Sequence, residues 1–247
     1  MQLSKNTVLV TGGASGIGLA LAERFLAAGS EVIVCGRSED RLRAAQAKHP
    51  GLRALAADVE TEAGRLALLD AATRLFPRLN VLVNNAGIQR RLDLTAPEPW
   101  AETRSEIAIN FEAPVHLARL FIPHLAKQER PGIVNVTSGL AWVPKADVPV
   151  YCATKAAMHS FTVSLRRQLA ATPIAVIEVA PPAVDTDLGG PGLHTFGVPV
   201  AEFADAAIAG LARGDLEVTH GFSAQASRAS RAEIDAIFQK MNGAAPG

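Results

Sequence analysis

Little in this chain of 247 residues points to a metal, a disulfide scaffold or a membrane. It has two cysteines, Cys35 and Cys152, far apart and outside any metal-like spacing. They read as reduced thiols, which excludes a cross-linked secreted scaffold. The six histidines are scattered without ligand spacing to one another, to cysteine or to an acid, so no catalytic metal is expected. Lys and Arg number 24 and so do Asp and Glu, leaving no net charge with which to hold nucleic acid or an anionic membrane. No apolar run is long enough to span a bilayer, and the first residues are polar. The expectation is a cytoplasmic protein without signal peptide or membrane span.

What the chain does have is apolar content, 49% hydrophobic against 19% charged, enough for one large α/β domain. Strand-like runs at 7–10, 31–35, 52–57, 81–84, 133–137, 174–180 and 216–219 alternate with helix-period stretches. The latter cover 16–28, 39–48, 62–75, 97–125, 151–171 and 201–212. Such alternation implies a parallel sheet with helices on both faces. Right-handed crossovers lead to a Rossmann-type doubly wound sheet of about seven strands, order 3-2-1-4-5-6-7, in a single domain spanning 1–247. A Gly/Pro-rich stretch at 183–200 reads as a substrate loop. Residues 243–247 read as a flexible tail.

Between the first strand and the first helix lie Gly12, Ser15, Gly16, Ile17 and Gly18. Glycines at such a turn permit positive φ and close approach to a pyrophosphate, and the helix start offers free N–H groups. The second strand ends in Cys35-Gly36-Arg37 with no acid for an adenosine 2′-hydroxyl. Arginine accommodates a 2′-phosphate instead, so NADP(H) is favoured over NAD(H), although Arg37 stacked on adenine would serve either. Asp58, after the third strand, suits the adenine amino group or a helix N-cap equally well, and Val59 is a candidate lining of the adenine pocket.

Tyr151 and Lys155 stand one helical turn apart, on one face. A phenol with a pKa of about 10 becomes a usable acid or base near neutrality if shifted to about 7–8, which needs about 3–4 kcal/mol. An ammonium at about 4 Å supplies about that much at an effective dielectric near 20, and a cationic cofactor ring would add to it. Alone, Tyr-x-x-x-Lys is common on surfaces; its company changes the reading.

That company is Thr11-Gly-x-x-x-Gly16-Ile17-Gly18, Asn84-Asn85-Ala86-Gly87, Asn110, Ser138 and Tyr151-x-x-x-Lys155. With these motifs in order, the chain resembles the short-chain dehydrogenase/reductase family. Val136-Thr-Ser-Gly-Leu-Ala141, the run 150–157 and Met241-Asn242 narrow the resemblance to DltE-like oxidoreductases. The resemblance implies that Ser138 binds the substrate oxygen and Tyr151 passes the proton. It implies that Lys155 lowers the Tyr151 pKa and binds the nicotinamide ribose, and that Asn110 holds a relay water. Pro114, lacking an N–H, leaves the Asn110 carbonyl without an i+4 partner if helix runs through both. Asn85, Ala86 and Gly87 are implied beside the adenosine ribose, with Asn84 joining the central strands. Pro181, Val184 and Thr186 are implied beside the nicotinamide carboxamide, with Pro182 where the family has glycine.

The substrate is expected between three loops bearing Gln89, Leu140 with Trp142 and Val143, and Leu188 with Leu193, His194 and Phe196. Arg90 and Arg91 read first as solvated surface groups and second as a basic edge. The resemblance implies an oxidoreductase for a small carbonyl/alcohol substrate, assembled as a homodimer or homotetramer. A dinucleotide-binding sensor or scaffold is the alternative.

Overall fold

Short β-branched runs and longer amphipathic stretches can bury their apolar faces together only by layering. The computed structural model, which describes residues 1–97 and 99–243, shows that layering. Seven strands form one parallel sheet: β1 (Thr7–Thr11), β2 (Glu31–Gly36), β3 (Leu52–Ala56), β4 (Val81–Asn84), β5 (Gly132–Val136), β6 (Ala175–Ala180) and β7 (Glu217–Thr219). Their order is β3-β2-β1-β4-β5-β6-β7, as expected from the sequence. Val8, Leu9 and Val10 of β1 sit in register with Val81, Leu82 and Val83 of β4, so the chain changes direction between those two strands. A crevice opens at such a switch point, beyond the carboxyl ends of the strands.

Helices α1 (Gly16–Ala27), α2 (Glu39–Lys48) and α7 (Val200–Arg213) cover one face, burying Phe25, Leu42 and Phe203 against β1, β2 and β6. The other face is covered by α3 (Glu62–Leu75), α5 (Ala113–Leu125) and α6 (Pro149–Gln168), through Leu68, Phe121 and Leu165. Strands buried on both sides read as continuous apolar runs. The starts of α2 and α3 are fixed by Ser38 and Thr61, whose side chains accept from the Arg41 and Gly64 amides.

Three expectations need correction. The long helix at 97–125 is broken into α4 (Trp100–Ile107), a π-turn (Ala108–Glu112) and α5. The cause is Pro114: with no amide hydrogen there, the backbone takes in one residue more per turn, and Ala113 donates to the Ala108 carbonyl. The helix expected from 151 starts two residues earlier, with Pro149 in its first turn, where a missing N–H costs nothing. Two helices were not anticipated, α8 (Phe222–Ala226) and α9 (Arg231–Asn242). Of the expected tail, Gly243 follows α9, and residues 244–247 lie outside the described residues.

Phe121 is fully buried between α5 and the sheet. Replacing it with alanine should cost about 3–5 kcal/mol of stability, read as a lower urea midpoint with an unchanged slope.

Candidate active site

The loops leaving β1 and β4 are stitched together at the switch point. The Thr11 hydroxyl accepts from the Asn85 and Ala86 amides, both at 3.0 Å, and donates to the Val83 carbonyl at 3.3 Å. The Asn85 side chain donates to the Thr11 carbonyl at 2.9 Å and to that of Gly12 at 3.3 Å. Gly12 has φ 63°, and a Cβ there would lie 2.9 Å from the Ala86 Cα, so only glycine lets the loops touch. Gly18 is held as tightly, since its Cβ would fall 2.4 Å from the Asn85 amide nitrogen. Asn85 and Ala86 thus build the turn, a support that the ribose assignment alone did not anticipate.

Helix α1 then starts at Gly16, whose φ is 51°. Ser15 is its exposed N-cap and makes no side-chain cap bond, and the first turn carries no acid. Free N–H groups at the positive end of a helix, reached over a glycine turn, fit a pyrophosphate. Ile17 is turned partly into the core.

At the far end of this crevice Arg37 is half exposed, its Nη1 3.4 Å from Glu60 Oε2. The preference for NADP(H) rested on the lack of an acid at the end of β2; the turn after β3 brings one. Asp58 is not a helix cap: its Oδ1 accepts from the Glu60 amide at 3.1 Å, and Thr61 caps α3. Val59 and Val184 are both core residues, which leaves their backbones rather than their side chains to meet a ligand.

Four polar residues converge on the other side of the switch point, all buried: Asn110, Ser138, Tyr151 and Lys155. Lys155 Nζ donates to the Val136 carbonyl at 2.9 Å and lies 5.5 Å from the centroid of the Tyr151 ring. Ser138 opens the 3-10 turn Gly139–Ala141, its Oγ accepting from the Leu140 amide at 3.1 Å. Asn110, in the π-turn, grips Ile88 at both backbone atoms, accepting from its N–H at 2.9 Å and donating to its carbonyl at 2.8 Å. A Cβ on Gly87 would sit 3.4 Å from Asn110 Oδ1 and 3.7 Å from Lys155 Nζ, so glycine keeps that space open. Asn84 donates to Asn135 Oδ1 at 2.9 Å, joining β4 to β5.

In the protein alone, burial acts against the electrostatics expected of Tyr151. Burial pushes the phenol above its ordinary value; Ser138, within hydrogen-bonding reach, pulls back, and Cys152 and Glu106 push it up further. Burial also brings Lys155 down to about 8, so it is still an ammonium at pH 7 but close to releasing its proton. Desolvation is the largest influence on the phenol. With the protein's own groups alone, the protonated form of Tyr151 is favoured.

On the substrate side, Leu140 and Leu188 pack with Val148, Tyr151 and Cys152. Gln89 borders the 183–200 loop: a Cβ on Gly189 would lie 3.5 Å from its Oε1. Trp142 is not in that cluster; its ring stands edge-on to His159 at 5.0 Å. Val143 is wholly buried and lines nothing. Arg90 and Arg91 are matched by Glu102 and Asp147, at 2.7 and 3.5 Å, so the basic edge is neutralised. The loop is pinned at its neck by a bridge between Val184 and Val198. Thr186 reaches back toward the glycine turn, its methyl 3.5 Å from a Cβ placed on Gly16. The Pro181 carbonyl accepts from the Gly139 amide at 2.9 Å, tying the start of this segment to the Ser138 turn.

Sequence reasoning missed a fully buried carboxylate, Glu178 on β6. It accepts from Thr137 Oγ1 at 2.6 Å and pairs with His159 Nδ1 at 2.9 Å. An acid amid Ala175-Val-Ile-Glu-Val-Ala180 was the available signal. With Glu217 these groups lie within 4.8 Å of one another, but the Glu178 oxygens are already taken by Thr137 and His159. The Asn242 clamp was also missed: its Oδ1 accepts from the Ala146 amide at 2.7 Å and its Nδ2 donates to the Pro144 carbonyl at 3.2 Å.

Residues 6–193 match the profile of a family described as short chain dehydrogenase. The chain belongs to that family. It is 48% identical to the "Uncharacterized oxidoreductase DltE" of Bacillus subtilis, over 98% of each chain, and is itself a DltE-like oxidoreductase. A short chain dehydrogenase from Burkholderia cenocepacia, solved in complex with NADP, superposes with a TM-score of 0.84 at 27% identity over 98% of this chain and 99% of the other. A 3-ketoacyl-(acyl-carrier-protein) reductase from Brucella melitensis, complexed with NADH, gives 0.80 at 28% identity over 90% and 99%. Family membership accounts for the sheet order and the spacing of the motifs.

The buried lysine should be visible in the stability of the protein. Its pKa falls from 10.5 to about 8 on folding. In that window the unfolded chain keeps a proton that the folded one has released, so this site makes stability rise with pH, the penalty being full below pH 8. Lys155→Met should therefore stabilise the protein at pH 7 by about 3 kcal/mol and by less than about 1 kcal/mol at pH 10. Urea titrations of both proteins at the two pH values measure this.

Proposed function

We propose that the protein is an NADP(H)-dependent oxidoreductase that interconverts a ketone or aldehyde and its alcohol, within one domain holding both cofactor and substrate. The observation that carries this reading is the joint burial of Tyr151 and Lys155 beside Ser138, across an open Gly87 from Asn110. When bound, the nicotinamide supplies or accepts the hydride, and its oxidised ring adds a positive charge to that of Lys155.

The residues of the chain do the rest. Ser138 and Tyr151 hold the substrate oxygen, and Tyr151, kept protonated by burial, gives its proton to that oxygen as the carbonyl is reduced. Lys155, near neutrality rather than fixed in one state, restores the proton. The Asn110 side chain is committed to Ile88 and Thr154, so its part in a relay falls to its backbone carbonyl, which Pro114 cannot serve. Leu140, Leu188 and Gln89 border the substrate; the apolar packing there suits a compact, largely apolar carbonyl compound. Arg37 favours the 2′-phosphate form of the cofactor.

A second copy of the chain completes the picture as homodimer or homotetramer. The basis is family membership together with a groove of about 580 Å³ between α4 and α6, lined by Leu94, Trp100, Ile107, Phe111 and Val150. Two buried free thiols and a neutral charge accord with the cytoplasm.

Incubating the protein with a panel of ketones, aldehydes and alcohols while following NADPH absorbance tests the activity. Tyr151→Phe should keep NADPH affinity within about 3-fold while lowering turnover by at least about 100-fold. If wild type binds NADPH yet turns over nothing in the panel, the sensor or scaffold reading takes over. Trp100→Glu should shift the wild-type oligomer toward monomer in light scattering.

A further inference from the structure

We infer that Glu60 sets how strongly the adenosine end of the site prefers a 2′-phosphate to a 2′-hydroxyl. The inference rests on the dinucleotide reading of that end of the sheet. Selection there is ordinarily made at the end of β2, by an acid for the hydroxyl or an arginine for the phosphate. This chain has Arg37 at that place, and the fold supplies an acid from a different element. Glu60 Oε2 stands 3.4 Å from Arg37 Nη1.

Glu60 is held there by its backbone. Its amide donates to Asp58 Oδ1 at 3.1 Å, and its carbonyl accepts from Arg65 Nη1 at 3.1 Å. Arg65 is itself buried, 2% exposed, and also holds the Val59 carbonyl at 2.9 Å. Its Nη2 pairs with Glu112 at 2.6 Å and its Nε donates to His116 Nδ1 at 3.0 Å, so the end of the π-turn and α5 anchor it. The turn after β3 is thus rigidly mounted, and Glu60, the fourth residue after the strand, points a carboxylate at the arginine.

Two consequences follow from charge. A 2′-phosphate must take Arg37 from Glu60, and it then carries its own negative charge next to the displaced carboxylate. A 2′-hydroxyl meets neither obstacle and can donate to Glu60. The pair therefore tempers the preference that Arg37 alone would impose, leaving the protein able to use both cofactors.

The test is binding without turnover. NADPH and NADH are titrated by their fluorescence, and adenosine 2′,5′-bisphosphate and 5′-AMP by calorimetry, on wild type, Glu60→Gln and Arg37→Gln. Glu60→Gln should tighten NADPH and the bisphosphate by about 3–5-fold, leave NADH and 5′-AMP equal or weaker, and lose most of the gain in high salt. Arg37→Gln should weaken NADPH and the bisphosphate alone. Unchanged or weaker NADPH binding by a folded Glu60→Gln protein overturns the inference while the dinucleotide reading stands. If wild type binds neither dinucleotide, that reading falls and takes the inference with it.

Discussion

One missing hydrogen shapes the centre of this molecule. Proline at 114 has no amide to offer the turn before it, and the helix crossing the switch point answers with a π-turn. That widening carries Asn110, which then takes hold of Ile88 at both of its backbone atoms. The segment after β4 is thereby fixed, and with it Gly87, the open position in front of Lys155. A regular helix through 108–112 would turn the Asn110 side chain to another azimuth.

The second constraint is dielectric. Family resemblance casts Lys155 as the charge that makes Tyr151 acidic, and a two-body estimate at the protein surface supports it. In the folded chain both groups are buried, and burial acts on each separately before it acts on the pair. It pushes the phenol up and the ammonium down, toward the neutral form of both. In the protein alone burial therefore favours the protonated phenol, an effect that the spacing of the motif does not reveal.

Most of the architecture was readable from periodicity because strand and helix signals here are long and separated. β4, α2 and α3 run over the residues expected of them. The failures have local causes. The π-turn is invisible to apolar spacing, though Pro114 marked the place. Helix α9 buries no residue, yet Ile234, Ile237, Phe238 and Met241 give it an apolar stripe at helical spacing; that stripe and its capping box, Ser230 with Glu233, were the signals to follow. At the site, Tyr151, Lys155, Ser138 and Asn110 announce themselves by spacing. Glu60 and Glu178 do not, because their roles come from strands lying side by side. An acid absent from the end of β2 reappears from the turn after β3, a juxtaposition created by the sheet and hidden in the linear order.

Asn242 holds Ala146 across ninety-six positions of chain, from the last turn of the last helix. The segment just ahead of Tyr151 is therefore tied by a contact of very high sequence separation, and closing so long a loop is entropically costly. The glycine turn too is stitched by contacts more than seventy positions apart, so both walls of the site are closed by distant pieces of chain.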